Sequence, residues 1–426
     1  MSEATLAVVA LLVFGWAISS RVLVRHDVTG PIIFTIAGFV LANPGWEILA
    51  VDVETGTVHT IAEVTLALVL FSDAARVNLT ELRRDVGLPL RLLAIGLPLT
   101  LIIGGVAAAI VFANFTWALA GFVGAALAPT DAALSAQVIN DRRVPGNLRN
   151  ALNVESGLND GIATPVVVFM LAMAAAQLGI AEEGETAAMG GSAGDLVIGI
   201  ALGLLCGLGG ATAVNASTRR NWVVSGGRRI ATLAVALGAF AATIAIEGNG
   251  FIAAFVAGIV YGSRLDDTID IEQAVELPEL GGQLLALVVW FLFGATLLPI
   301  AFDHLNEVTV VVFALLALTV FRILPVAVGM VGSGLAWKDV LFLGWFGPRG
   351  LASVVFALLA LEELGQTSEV VLEAVSVVAM TVLLSVILHG VTAGPAARSY
   401  GADAADDVTT GPRATPRGFL HHTRGS

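Results

Sequence analysis

Runs of Ala, Val, Leu and Ile follow one another along nearly the whole chain, separated by short clusters of charged and small residues. A helix needs roughly 17 to 25 apolar residues to cross a bilayer, and the runs have that length. They predict spans near 4–20, 29–43, 59–75, 87–112, 117–139, 151–177, 194–215, 230–246, 249–263, 280–301, 308–331, 338–361 and 370–395. The pattern is that of an all-α polytopic membrane protein with about thirteen transmembrane helices. The run FIAAFVAGIVYGS, after the loop EGNG at 247–250, is the shortest and crosses only if it stays nearly upright.

Polar positions between the runs alternate in sign. RVLVRHD, RVNLTELRRD, NDRRVPGNLRN and STRRNWVVSGGRR, after the first, third, fifth and seventh spans, are basic. VDVETG, AEEGETAAMGGSAGD, FDHLNE and EELGQTSE, on the alternate side, are acidic. Arg and Lys collect on the cytoplasmic side, so the N-terminus is expected outside and the C-terminus in the cytoplasm, in a cell membrane. The first span lacks a basic leader and a small-residue cleavage site, and it reads as a retained helix. Residues 1–395 form the membrane domain; 396–426, containing GADAADDVTTGP, read as a disordered cytoplasmic tail.

Composition sharpens this picture. At 57% hydrophobic and 13% charged, the chain is too apolar for a water-soluble domain of 426 residues. The single cysteine, Cys206, excludes a disulfide framework and a cysteine metal site. No P-loop implies nucleotide hydrolysis, and the basic loops are short and explained by topology, so neither nucleotide nor nucleic acid is expected as a partner.

Against so apolar a background, a few polar clusters stand out. In the sixth span NVESGLNDGIATP carries Glu155, Ser156, Asn159 and Asp160. At 1.5 Å per residue Asp160 falls roughly 13 to 15 Å into the helix, near the bilayer midplane. Glu155 with Asn159 and Ser156 with Asp160 are i,i+4 pairs sharing one wedge of the helix. Ser and Asn often serve only to hold membrane helices together. Acids at the midplane are rare and mark ion or proton paths.

The fifth span is interrupted by Pro129, Thr130 and Asp131 in AALAPTDAAL, and the twelfth by Gly347, Pro348, Arg349 and Gly350 in FLGWFGPRGLASVVF. A broken helix at membrane depth is tolerated where it lines a cavity or site. Separated by seven spans, the two broken helices run in opposite directions, and two inverted repeats with crossed, broken helices are expected, with the binding site at the crossing. Arg349 is suited to neutralise the carboxyl ends of the half-helices. Arg322, deep in the eleventh span, needs a partner, and Glu155 is the best candidate. Asp73, ending the third span, is either a pathway carboxylate or a partner for Arg76. His389 reads as a packing residue rather than a proton relay.

In this order ESGLNDGIATP, APTDAAL, the arginine of VFRILPV, GPRGLASVVFALL and LHGVTAGP resemble the monovalent cation/proton antiporters of the NhaP type, prokaryotic relatives of the eukaryotic sodium/proton exchangers. The Asn-Asp pair preceded by Glu is the signature of the electroneutral branch. The resemblance implies that Asp160 carries cation or proton, with Asp131, the Thr130 carbonyl, Ser156 and Asn159 around the Na⁺. It implies a structural ion pair between Glu155 and Arg322, a crossing built on Pro129, Pro348 and Arg349, and a pathway role for Asp73. Gly157 departs from many relatives, which have a larger residue there. The implied protein is a homodimeric secondary transporter, not an enzyme. It would need no cofactor and exchange Na⁺ or Li⁺ for H⁺ one for one in pH homeostasis, with core helices in 87–177 and 308–395. A K⁺/H⁺ antiporter of the same fold is the nearest alternative. An intramembrane aspartyl protease using Asp131 and Asp160 is a second; that class carries GxGD where this chain has LNDG. A channel or sensor is a third.

Overall fold

The computed structural model describes residues 3–25, 29–42, 55–77, 87–180, 188–304 and 307–410. Several loops used above to assign orientation fall wholly or partly outside these residues, as does the tail beyond 410. Among the described residues the chain is helical, with turns and irregular segments between helices and no strand. In chain order the helices are α1 (Glu3–Arg25), α2 (Gly30–Ala42), α3 (Thr55–Ala75), α4 (Gly87–Val111), α5 (Trp117–Ala126), α6 (Ala136–Ile139), α7 (Gly146–Gln177) and α8 (Ala188–Arg219). Then come α9 (Ser225–Ile244), α10 (Gly250–Arg264), α11 (Ile271–Asp303), α12 (Val308–Gly329), α13 (Trp337–Trp345), α14 (Leu351–Glu363) and α15 (Glu369–Thr410).

Nine of these helices are long and apolar enough to cross a membrane, among the described residues. The shorter α2, α5 and α10, and the broken pair α13 and α14, occupy the remaining positions of the thirteen-span reading. Leu6, Leu11, Phe14 and Ile18 on α1 and Val197, Leu204 and Leu205 on α8 are exposed, as suits a hydrocarbon solvent. The boundary drawn at residue 395 falls inside α15, which runs on to Thr410. Ala397 and Tyr400 pack with Val138, Leu148 and Phe342, so this stretch continues the folded unit.

Lipid offers no hydrophobic drive between helices, so close approach of backbones decides the packing. Gly199, Gly203 and Gly207 line one face of α8 against α10, and a Cβ on any of them would collide with the Asn249, Ala253 or Ala257 carbonyl. Helix α10 in turn packs on α3, α3 on α11, and α11 on α2. A second set of contacts joins α4, α5 and α7, and a third joins α12, α13, α14 and α15. Two π turns, Leu92–Gly96 in α4 and Phe293–Leu297 in α11, each stand just before a proline, Pro98 or Pro299. The missing proline N–H breaks the regular ladder there and the helix widens by one residue. Helix α12 is irregular at Thr319, three residues before Arg322.

Candidate functional site

Two unwound segments meet at the centre of the molecule. Helix α5 ends at Ala126 and the chain stays irregular until α6; α13 ends at Trp345 and α14 begins at Leu351. The segments touch directly, the Asp131 N–H donating to the Pro348 carbonyl at 2.8 Å. Such breaks strand carbonyls at the end of one half-helix and N–H groups at the start of the next. Each set is met by one charged side chain. Arg349 Nη1 donates to the Ala128 carbonyl and, at 3.0 Å, to the Pro129 carbonyl. Asp131 Oδ1 accepts from the Ala133 and Leu134 N–H groups at 2.7 and 3.3 Å, and its Oδ2 from the Leu351 N–H at 2.9 Å. Gly350 leaves room for this carboxylate, since a Cβ there would overlap Asp131. Ser353 Oγ adds a bond to the Ala126 carbonyl at 2.6 Å.

Helix α7 passes beside the crossing and presents the four polar residues of its wedge differently. Asn159 Nδ2 donates to Thr130 Oγ1 at 2.7 Å and to the Thr130 carbonyl at 3.3 Å. Ser156 Oγ lies 3.1 Å from Thr130 Oγ1. Glu155 turns away and forms a bidentate pair with Arg322, at 2.5 and 2.8 Å, both residues at 0% exposure. Asp160 is different: its Oδ1 is buried with no hydrogen-bond partner among the described residues.

Asp160 looks into a cavity of about 390 Å³ whose polar lining includes Asp73, Asp131, Ser156 and Gln283. Trp16, Leu287 and Trp290, from α1 and α11, supply part of the apolar wall opposite. Asp73 therefore faces the cavity. The Arg76 guanidinium is taken by Glu279, and by Glu272 at 3.0 Å. Three carboxylates in one low-dielectric cavity repel as bare anions, so the arrangement favours a proton or a cation on at least one of them. Hard oxygens of carboxylate, hydroxyl and carbonyl suit an alkali cation. No group of three or more His, Cys, Asp or Glu residues is disposed to hold a metal ion, among the described residues.

The structure brings together Thr130, Asp131, Ser156, Asn159, Asp160 and Asp73, and sets Glu155 with Arg322 apart as a buried pair. Gln283 was missed in the sequence, although a lone amide in the apolar run LGGQLLALVVW is a readable signal. His389, read from the sequence as a packing residue, and Ser385, which left no such signal, bond around the second break.

A profile of the family described as sodium/hydrogen exchanger, transmembrane, matches residues 8–399. The chain belongs to this sodium/hydrogen exchanger family. It is thereby placed among transporters rather than enzymes. The chain is 24% identical over 308 residues to a K⁺/H⁺ antiporter NhaP of Alkalimonas amylolytica, covering 70% of this chain and 50% of that protein. It is 25% identical over 233 residues to a K⁺/H⁺ antiporter NhaP2 of Shewanella sp. strain MR-4, covering 55% and 39%. The chain thus spans about half the length, or less, of these curated relatives. In structure it resembles the sodium proton antiporter MjNhaP1 of Methanocaldococcus jannaschii with a TM-score of 0.72 and 20% identity, over 93% of this chain and 98% of that one. The exchanger-family chain therefore shares the antiporter fold across its membrane region.

Proposed function

We propose that this protein exchanges Na⁺ or Li⁺ for H⁺, one for one, across the cell membrane, with Asp160 carrying either ligand in turn. The observation that carries this reading is the unpartnered Asp160 carboxylate oxygen at the cavity, beside Ser156 and Asp131 and close to the Thr130 turn. A buried carboxylate without a partner is unstable as a bare anion, and a proton or a desolvated cation relieves it. The two compete for the same oxygens, so binding one expels the other. Asp160 then carries the same charge in both directions, which makes exchange indifferent to membrane voltage. The cation shell is Asp160, Ser156, the Thr130 carbonyl and the remaining lone pairs of Asp131, with Asn159 holding Thr130 in place and Asp73 on the approach.

The basic loops support an N-terminus outside and a C-terminus in the cytoplasm. In that orientation the cavity side holding Asp73 and Gly30 faces the cytoplasm. Helices in 87–177 and 308–395 form the moving core, and the remaining helices form the scaffold and a homodimer interface, so that the core shifts against the scaffold to expose Asp160 alternately. The names of the curated relatives favour one second reading, K⁺ in place of Na⁺ at the same site. The protease reading fits less well, because Asp131 is engaged by three backbone N–H groups and would be a poor acid or base.

The deciding experiment is proton flux in proteoliposomes with the voltage clamped, on addition of Na⁺, Li⁺ or K⁺. Sodium-driven flux should ignore voltage, show an apparent KM for Na⁺ that rises as pH falls, and vanish in Asp160→Asn. Flux driven by K⁺ alone would move the cation assignment, and unchanged flux in the variant would remove Asp160 from the mechanism.

A further inference from the structure

The second break is held from a helix that has no part in the cation shell. The Arg349 N–H donates to Ser385 Oγ at 2.7 Å. Ser385 Oγ lies 3.2 Å from His389 Nδ1, and His389 Nε2 lies 2.8 Å from the Trp345 carbonyl. Trp345 ends α13 and Arg349 stands two residues before α14, so the chain of bonds runs from one flank of the break, through α15, to the other. Arg349, Ser385 and His389 are all buried.

For a neutral ring the Nε2–H tautomer satisfies more of the contacts, although its Nδ1 lone pair then lies 2.9 Å from the Ser385 carbonyl. The Trp345 carbonyl can only accept, so Nε2 carries the hydrogen. Ser385 Oγ accepts from Arg349 and has one hydrogen left, which Nδ1 accepts. The opposite tautomer would set the Nε2 lone pair against the Trp345 carbonyl. A charged ring would find a second acceptor in the Ser385 carbonyl, 2.9 Å from Nδ1, but would bury a third cation with Arg349 and Arg322. His389 also stacks on the Trp345 ring, with centroids 5.1 Å apart, a contact that packing alone would explain.

We propose that His389 is a positioning residue. Through Ser385 it fixes the Arg349 backbone, and through the Trp345 carbonyl it fixes the end of α13. The Arg349 guanidinium is thereby kept on the Ala128 and Pro129 carbonyls, and the adjoining Thr130 and Asp131 stay in register with Asp160. Its effect on transport rests on the exchange reading above; its effect on the backbone does not.

Two variants separate positioning from packing. His389→Phe keeps an aromatic ring on Trp345 and removes both hydrogen bonds; His389→Gln removes the ring and keeps a donor and an acceptor. The readouts are Na⁺-driven proton flux over a range of Na⁺ concentration, and hydrogen exchange of the segment 345–351. His389→Phe should raise the apparent KM for Na⁺ roughly tenfold, as loss of an orienting partner does at other ion sites, with a smaller change in maximal rate. Its 345–351 segment should also exchange faster. His389→Gln should stay within about twofold of wild type in both readouts. An unaltered KM and exchange rate in His389→Phe would overturn the proposal, as would a His389→Gln variant that keeps its thermal midpoint yet is as impaired as His389→Phe. Should His389→Phe fail to fold, Ser385→Ala, which removes one hydroxyl, takes its place with the same expectation. Should wild type carry no Na⁺-driven flux, the exchange reading falls and hydrogen exchange alone decides: faster in His389→Phe than in His389→Gln supports the brace, and equal rates overturn it.

Discussion

The two breaks solve the same problem with opposite charges. At 127–135 the interrupted helix contributes Asp131, which gathers N–H groups; at 346–350 it contributes Arg349, which gathers carbonyls. Neither break is satisfied wholly from within, although Asp131 takes the Ala133 and Leu134 N–H groups of its own segment. Arg349 reaches across to Ala128 and Pro129 of the first, and Asp131 reaches across to Leu351 beyond the second. The segments are also unequal in what else they do. Both oxygens of Asp131 accept hydrogen bonds, yet the residue still lines the cavity beside Ser156 and Asp160. Arg349 is enclosed, and its guanidinium bonds go to backbone and not to the cavity-lining acids. Two broken segments can thus share a geometry while one keeps a carboxylate on the cavity wall and the other supplies the charge that satisfies backbone carbonyls.

The largest effect that would test this division comes from Arg349→Met, which leaves the Ala128 and Pro129 carbonyls without their donor. At about 1 to 3 kcal/mol for each orphaned buried acceptor, the loss should approach 2 to 6 kcal/mol, measured as a large fall in thermal midpoint together with lost exchange. Arg349→Lys should recover only part of it, because one compact ammonium replaces a planar fork. If Arg349→Met were stable and active, the first break would have to be self-sufficient.

Asp131→Asn keeps one acceptor oxygen and turns an amide donor toward either Leu351 or Ala133. Its stability loss should reach at most about 3 kcal/mol, with a rise in the apparent KM for Na⁺. A fall in stability larger than that of Arg349→Met would contradict the asymmetry. Gly350→Ala pushes a methyl group into the Asp131 carboxylate and should cost about 1 kcal/mol or slightly more, read as a lowered thermal midpoint. The smallest effect is expected at the far end of α14, where His59 of α3 lies 2.7 Å from Glu362 and 3.0 Å from Glu63. These groups are partly exposed, so His59→Gln should change stability by no more than about 1 kcal/mol, and high salt should abolish the difference.

Much of this arrangement is readable from residue order. Pro129 and Pro348 disclose the breaks because proline cannot continue a helix in the membrane interior without help. Arg322 asks for an acid because a lone buried cation is intolerable, and Glu155 lies at matching depth. The two roles open for Asp73 separate only in three dimensions, where Arg76 turns to Glu279 and leaves Asp73 to the cavity. The irregularity at Thr319 has no marker of its own in ALTVFRILPVAV. The bonds around the second break join residues 36 and 44 positions apart, and an apolar run containing one Ser and one His looks the same whether those side chains brace a backbone or fill space.

By itself the sequence determined the solvent, a polytopic all-helical chain, where two of the helices break, and which few ionisable groups interrupt the apolar runs. Those properties follow from transfer free energies and proline sterics, which act residue by residue. Only the tertiary structure decided that Asp131 and Arg349 reach across to each other's segments, and that Asp160 is left with an unpartnered oxygen among the described residues. Hydrogen-bond satisfaction in a buried site is a property of the whole set of neighbours, and those neighbours are drawn together from separate helices and two unwound segments.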